Sequence, residues 1–232
     1  MPGSLFPTTR RSVVEALRSE DVAERSRAFD TLAGIYWKPL YKFARIIRGR
    51  TALDAEDLTQ SFMLELLEGK ALESYDSRRA SFRTFLRLLF DRSVANRDKK
   101  ATRLKRGGAT AHIDFAEAEV ELSRESGEHA NAEDYFERQW VKSLLAMAVD
   151  KCREALDPIS FDIFESYDLA PESGVTYAQL AARHGVTEVT VTNRLAAARR
   201  RFREIAIALV REVTVSDGEF RNEVKALFGI DL

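Results

Sequence analysis

One stretch restricts what this chain can fold into more than any other: TYAQLAARHGVTEVTVTNRLAAARRRFR, Thr176 to Arg203. It reads as two short helices joined by a tight turn. Thr176 is a good N-cap, and Gln179 three residues on completes a capping-box pattern. Leu180 and Ala181 form the inner face of the first helix, Ala181 being small because the second helix crosses close by. Gly185 stands where the chain must leave the helix, and glycine takes the left-handed conformation at least cost. Val186 then plugs the core, and Thr187 caps the second helix. Val191, Leu195 and Ala198 recur at i, i+4 and i+7 as one buried stripe. The opposite face carries Glu188, Thr190, Asn193, Arg194, Ala197 and Arg201, small or hydrogen-bonding side chains suited to a DNA groove. This is the pattern of a helix-turn-helix, whose second helix lies in the major groove. The alternative is an ordinary helical hairpin with a solvated basic end.

The 232 residues allow one large or two small domains. Only five prolines and eleven glycines, with long Ala/Leu/Arg/Glu runs, predict a mostly helical chain. A formal net charge of −1 supplies no global pull toward nucleic acid, so any such pull must come from local patches. The single Cys152 leaves no internal disulfide and fits a reducing cytosol. The N-terminal MPGSLFPTTRR lacks the apolar core of a signal peptide, and apolar runs such as 205–210 are too short to span a bilayer. A cytoplasmic protein without membrane insertion is expected. His112, His129 and His184 are scattered, so no metal site is expected. Gly107-Gly108 lacks a P-loop ending, and no nucleophile–base constellation occurs. The expectation is no cofactor, no catalytic residue and no enzyme.

Charge is segregated along the chain. From Arg78 to Arg106 basic residues recur, opposed only by Asp91 and Asp98, and from Asp114 to Glu137 the sign reverses. Ser123–Asp134 has no apolar periodicity and reads as a flexible linker. The first domain, about Ser12–Arg106, is predicted as four or five helices. These are a short one over about Ser12–Arg18, a second over about Ala23–Tyr36 with Phe29, Leu32 and Ala33 inward, and Leu40–Ile47 after a break or bend at Pro39. Asp54 is then expected to cap a helix over about Ala55–Leu67. A long helix from Phe82 to about Leu104 would bury Phe85, Leu89 and Phe90 and turn polar from Ser93. A second, smaller domain would begin near Tyr135. In DAEDLTQSFMLELLE, Leu58, Phe62 and Leu66 form a core stripe, while Asp57, Gln60 and Leu64 share another face suited to protein docking. After a turn at Ser216–Gly218, Val224, Leu227 and Phe228 predict an amphipathic terminal helix that docks on the helix-turn-helix domain or binds a regulator.

Taken together, the two domains resemble a bacterial RNA polymerase sigma factor of the extracytoplasmic-function group. DAEDLTQSFMLELLE is similar to region 2.2, SFRTFLRLLFDRSVANRDKKATRLKR to regions 2.3 and 2.4, and VTYAQLAARHGVTEVTVTNRLAAARRRFR to region 4. FPTTRRSVV, YWKPLYKFAR, the RGG at 106–108 and the tail resemble a long subgroup common in planctomycetes. The resemblance implies an all-α fold of two helical domains joined by an acidic flexible linker: 1–108 as region 2, 109–134 as linker, 135–212 as region 4 and 213–232 as a C-terminal extension. It implies that Glu56, Asp57, Gln60 and Leu64 meet core RNA polymerase. Arg92, Asn96, Arg97, Lys99, Lys100 and Arg103 would engage and melt the −10 element. Glu188, Thr190, Asn193, Arg194 and Ala197 would read the −35 element, with Arg199, Arg200 and Arg201 on phosphates. The implied partners are core polymerase, through its β′ clamp helices and β flap, and promoter DNA. There is room for an anti-sigma factor or a kinase as regulator. Thr59, beside Gln60, is a candidate for phosphorylation. The acidic segment is expected either to thread a basic polymerase channel or to fold back over the basic 92–106 surface in the free protein. Two departures stand out: Phe85 where relatives usually carry Trp, and a basic tract after Asn96, where many carry Asp. The competing reading is a stand-alone helix-turn-helix regulator with an N-terminal helical sensor or oligomerisation domain.

Overall fold

Every regular element among the described residues is helical, as the low proline and glycine content predicts. The computed structural model describes residues 13–17, 19–68, 70–101, 115–125, 131–170, 172 and 174–231. The α-helices are α1 Val13–Ala16, α2 Val22–Lys42, α3 Ala52–Leu67, α4 Phe82–Ala101, α5 Ala116–Arg124, α6 Ala132–Ala155, α7 Pro158–Phe164, α8 Tyr177–His184, α9 Glu188–Val213 and α10 Asp217–Phe228. Wider π turns follow α2 at Phe43–Ile47 and α7 at Glu165–Leu169. The chain forms two compact units, one of residues 1–143 with 210–232, the other of residues 144–209.

The first unit is organised by aromatic packing. Asp21 caps α2 by accepting from the backbone N–H of Ala23 at 2.8 Å. The helix then runs through Pro39 instead of breaking there. Proline inside a helix costs about 3 kcal/mol. Here Tyr36, Leu40 and Tyr41 around it are fully buried, and each buried large apolar side chain contributes about 1.5–3 kcal/mol. Packing therefore outweighs the lost backbone bond. α3 begins one turn earlier than its acidic Asp54 suggests. Thr51 is the N-cap, its hydroxyl accepting from the Asp54 N–H at 3.2 Å and donating to the Asp54 carboxylate at 2.9 Å.

α4 buries Phe82, Leu86, Phe90 and Val94, a strict i+4 stripe; of the expected residues Phe90 is buried, while Phe85 and Leu89 are half-buried. Phe90 stands edge-on to Phe62 of α3 at 5.1 Å and to Phe43 at 6.4 Å. Tyr36 meets Phe82 at 6.0 Å in the same edge-to-face manner. The first part of α6 belongs to this core too: Tyr135, Phe136 and Trp140 are buried, with Phe136 against Phe43 at 6.0 Å.

The acidic segment departs from the expected open linker over residues 115–125. It forms α5, packed on α2. Phe115 is buried between Trp37 at 5.4 Å and Tyr41 at 4.8 Å. Glu119 binds Arg45 through two contacts, 2.7 and 3.0 Å, and accepts from the Tyr41 hydroxyl at 2.6 Å. Glu121 reaches Lys38 at 2.8 Å and Lys42 at 2.7 Å. Glu125 reaches Lys42 at 2.9 Å and accepts from the Gln139 amide at 2.9 Å. The acidic residues of this segment thus answer Lys38 and Lys42 of α2 and Arg45 of the turn that follows it. Residues 109–114 and 126–130 lie outside the described residues.

α10 forms after its Ser216 N-cap and closes on the left-handed Gly229, φ 66°. It packs within the first unit, where the end of α9 also lies: Arg211 of α9 pairs with Asp217 at 2.5 Å and covers the Phe220 ring at 4.9 Å. The Glu219 carboxylate accepts from the Phe82 N–H at 2.7 Å, at the start of α4, and from the Val215 N–H at 3.0 Å. Glu223 pairs with Arg83 at 3.0 Å, and Arg83 lies over the Trp140 ring at 4.5 Å.

In the second unit, Thr176 and Gln179 cap α8 reciprocally: the Thr176 N–H donates to the Gln179 side chain at 2.8 Å, and the Gln179 N–H to the Thr176 hydroxyl at 3.3 Å. Gly185 ends α8 at φ 64°, ψ 34°. Val186, half-buried, returns a hydrogen bond from its N–H to the Ala181 carbonyl at 3.0 Å. The Thr187 hydroxyl then accepts from the Thr190 N–H at 3.2 Å and starts α9. Leu180 and Ala181 of α8 and Val191, Leu195 and Ala198 of α9 are buried. His184 Nε2 sits 2.7 Å from Asp162 of α7 and fixes the end of α8.

Candidate polymerase and nucleic-acid interfaces

On α3, Asp57, Gln60 and Leu64 follow Leu53 at i+4, i+7 and i+11, one line along the helix opposite the buried Ala55, Leu58, Phe62 and Leu66. Leu53 is 69% exposed, a large apolar side chain at the head of that line. Asp57 is exposed, and Gln60, Leu64 and the flanking Glu56 are half-buried. The four expected docking residues therefore share one accessible surface. Thr59 does not. It is fully buried, and its hydroxyl has no partner among the described residues. A kinase has no access to it in the folded chain, which removes it as a modification site. The signal was present in the spacing, because Thr59 lies between Ala55 and Met63 on the buried stripe.

The second half of α4 leaves its core stripe at Val94. Arg92 and Asn96 are exposed. Arg97 is exposed too, but its guanidinium donates to the Ser61 hydroxyl at 2.8 Å, tying this half of α4 to α3. Six residues earlier Asp91 pairs with Arg48. The side chains of Lys99 and Lys100, and all of Arg103, lie outside the described residues.

The arginines of α9 divide into two kinds. Arg194 donates to Asp157 at 2.8 Å and to the Ser160 hydroxyl at 2.8 Å. A hydrogen bond from Ser160, supported by the Arg194 charge, holds the Asp157 carboxyl below its ordinary range. Arg199 grips Asp168 with two parallel bonds of 2.8 and 2.7 Å and lies over the Tyr167 ring at 5.9 Å. Arg201 pairs with Glu204 at 3.3 Å. Arg200 has no carboxylate partner among the described residues and is exposed. Thr190 is half-buried, with its hydroxyl 2.9 Å from that of Thr187. Glu188, Asn193 and Ala197 are exposed. The eight expected groups thus do not lie on one face: Arg194 and Arg199 turn to opposite flanks, toward their own unit's carboxylates. The residue that periodicity passed over is Val189, 69% exposed on the first turn of α9.

Among the described residues there is no group of three or more His, Cys, Asp or Glu that could hold a metal ion. No described helix is long and apolar enough to cross a membrane.

Residues 35–103 match the family model of Sigma-70 region 2. That span begins inside α2, takes in all of α3 and ends just beyond α4. It covers both the accessible α3 line and the basic half of α4. The similarity to that family rests on these residues, less than a third of the chain. No curated protein matches the chain.

Proposed function

We propose that the chain is a sigma factor of the extracytoplasmic-function group, of the long planctomycete-like kind, working in the cytoplasm as the promoter-specificity subunit of RNA polymerase. The observation that carries this reading is the accessible line Leu53–Asp57–Gln60–Leu64, lying inside the region 2 match and opposite a fully packed core face. An acid and an amide between the exposed Leu53 and the half-buried Leu64 suit a protein partner better than solvent. The occupant of this line is the β′ clamp-helices coiled coil, with Glu56 at its edge. Arg92, Asn96 and Arg97, continued by Lys99, Lys100 and Arg103, then face the −10 element, the cations neutralising phosphates and Asn96 reading a base. The α8–turn–α9 unit is a helix-turn-helix that takes the −35 element and the β flap. Neither DNA contact needs high affinity alone, because core polymerase holds both at high effective concentration. An anti-sigma factor competing for the α3 line is the simplest regulator.

Run-off transcription with core polymerase tests this. The full chain should direct initiation from specific genomic fragments. Asp57→Arg, an exposed substitution that leaves the core untouched, should lower core binding at least tenfold with unchanged helicity. A wild-type chain that neither binds core polymerase nor supports run-off would overturn the reading.

A further inference from the structure

The first two-thirds of α9 show which side chains are free to meet a ligand. At about 100° per residue, the buried Val191, Leu195 and Ala198 define one side. The diametrically opposite strip is Val189, Asn193, Ala197 and Arg200, all exposed. Arg194 and Arg199 fall on the two flanks, each fixed by a carboxylate of its own unit at 2.8 Å or less. The Thr190 hydroxyl is spent on Thr187. The centre of the strip is therefore a branched hydrocarbon followed one turn later by an amide. Val189 is an apolar side chain left 69% exposed. The major groove offers one apolar mark, the thymine C5-methyl, and the adenine edge matches a carboxamide with two bonds. Side chains one helical turn apart along a groove are separated by about 5.4 Å, which spans one to two base-pair steps of about 3.4 Å.

We propose that Val189 is a specificity-determining residue that packs against a thymine methyl group, with Asn193 reading an adenine within two base pairs of it. Arg194 and Arg199 are positioning residues that set the angle of α9 through Asp157 and Asp168 rather than reading bases. Arg200 is the phosphate contact of the strip. This rests on the proposed role of α9 in DNA reading.

The test uses the full chain bound to core polymerase and duplexes selected from a pool randomised over the −35 element. Each thymine of the selected sequence is replaced in turn by uracil, which removes only the methyl group. At one position uracil should weaken wild-type binding about fourfold, the value of one buried methylene-sized group. Val189→Ala should lose a similar factor on thymine DNA and show no further loss on uracil DNA. Val189 is exposed, so this variant keeps its fold. The proposal is overturned if no uracil position weakens the wild type, or if the uracil effect persists undiminished in Val189→Ala. Arg194→Met should weaken all sequences alike; a change in base preference at one position would make Arg194 a reader. A holoenzyme that enriches no sequence at all would instead remove the DNA-reading role of α9, a result distinct from the loss of the Val189 contact alone.

Discussion

Helices α5 and α10 both fasten to the first unit with carboxylates, yet two of these acids respond in opposite directions to their surroundings. Glu125, the C-cap of α5, is partly buried, which alone would raise its pKa. Hydrogen bonds from Lys42 and Gln139, with Lys42 and Lys142 close by, hold it down at about 2. Glu223 of α10 is similarly enclosed, and there burial prevails. Its carboxyl is pushed above its ordinary 4.5, because its one cation, Arg83, is shared with Glu137. Burial sets the same tendency at both places, and the ratio of donors to carboxylates decides the outcome. α5 is therefore an ionic latch, and α10 is a packed clamp whose charges are only partly offset.

The widest separation of the two should come from Lys42, which is fully buried and serves Glu121, Glu125 and Gln139 at once. Lys42→Met removes the buried cation shared by Glu121 and Glu125, leaving them only Lys38 and the exposed Lys142, and should cost about 3–5 kcal/mol in urea unfolding. A loss under about 1 kcal/mol would mean that Phe115, not the ion pairs, holds α5. Next in size is Glu125→Gln, expected to cost about 1.5–3 kcal/mol at pH 7, since it removes a charged acceptor from four donors, Lys42, Tyr135, Gln139 and Lys142.

Acid should split the two helices without mutation. The depressed Glu125 contributes stability that is present above about 4.5 and lost as pH falls toward about 2. The raised Glu223 behaves oppositely: its penalty is absent below 4.5 and grows as pH rises through its elevated value. Hydrogen exchange compared at pH 6 and at about pH 3 should show α5 amides losing protection before α10 amides. Simultaneous loss would show one cooperative unit with no separate latch. Glu223→Gln should therefore be cheap, within about 1 kcal/mol at pH 7. The smallest change belongs to Glu117→Gln, whose partner Lys38 it meets at 3.2 Å from a largely exposed position. It should shift stability by less than about 0.5 kcal/mol.

What could be read from residues alone tracks the distance over which each feature is decided. The Thr176–Gln179 capping pair, the left-handed Gly185 and the Val191–Leu195–Ala198 stripe are set within one or two helical turns, and each is visible as spacing. α5 was not legible because Glu119, Glu121 and Glu125 find their cations 74 to 83 residues upstream. Sign alone pointed to the nearer basic run after Arg92. The dock of α10 depends on Glu219 and Glu223 meeting Phe82 and Arg83, 137 and 140 residues away. In α4 the run FRTFLRLLF is apolar on several faces, so its buried stripe was settled by what surrounds it. The partners of Arg194 and Arg199 lie 37 and 31 residues back, and a periodic reading of α9 could not see that those two guanidinium groups were already engaged.

The first unit draws on both sides of the second in chain order, and that has a consequence for synthesis. The start of α4 and its Arg83 leave the ribosome 140 residues before Glu223 arrives to meet them. At about 5–20 residues per second this is an interval of roughly 7–28 s. Through that time the α4 N-terminus waits without its last neighbours, while the compact 144–209 segment has every residue it needs to fold first.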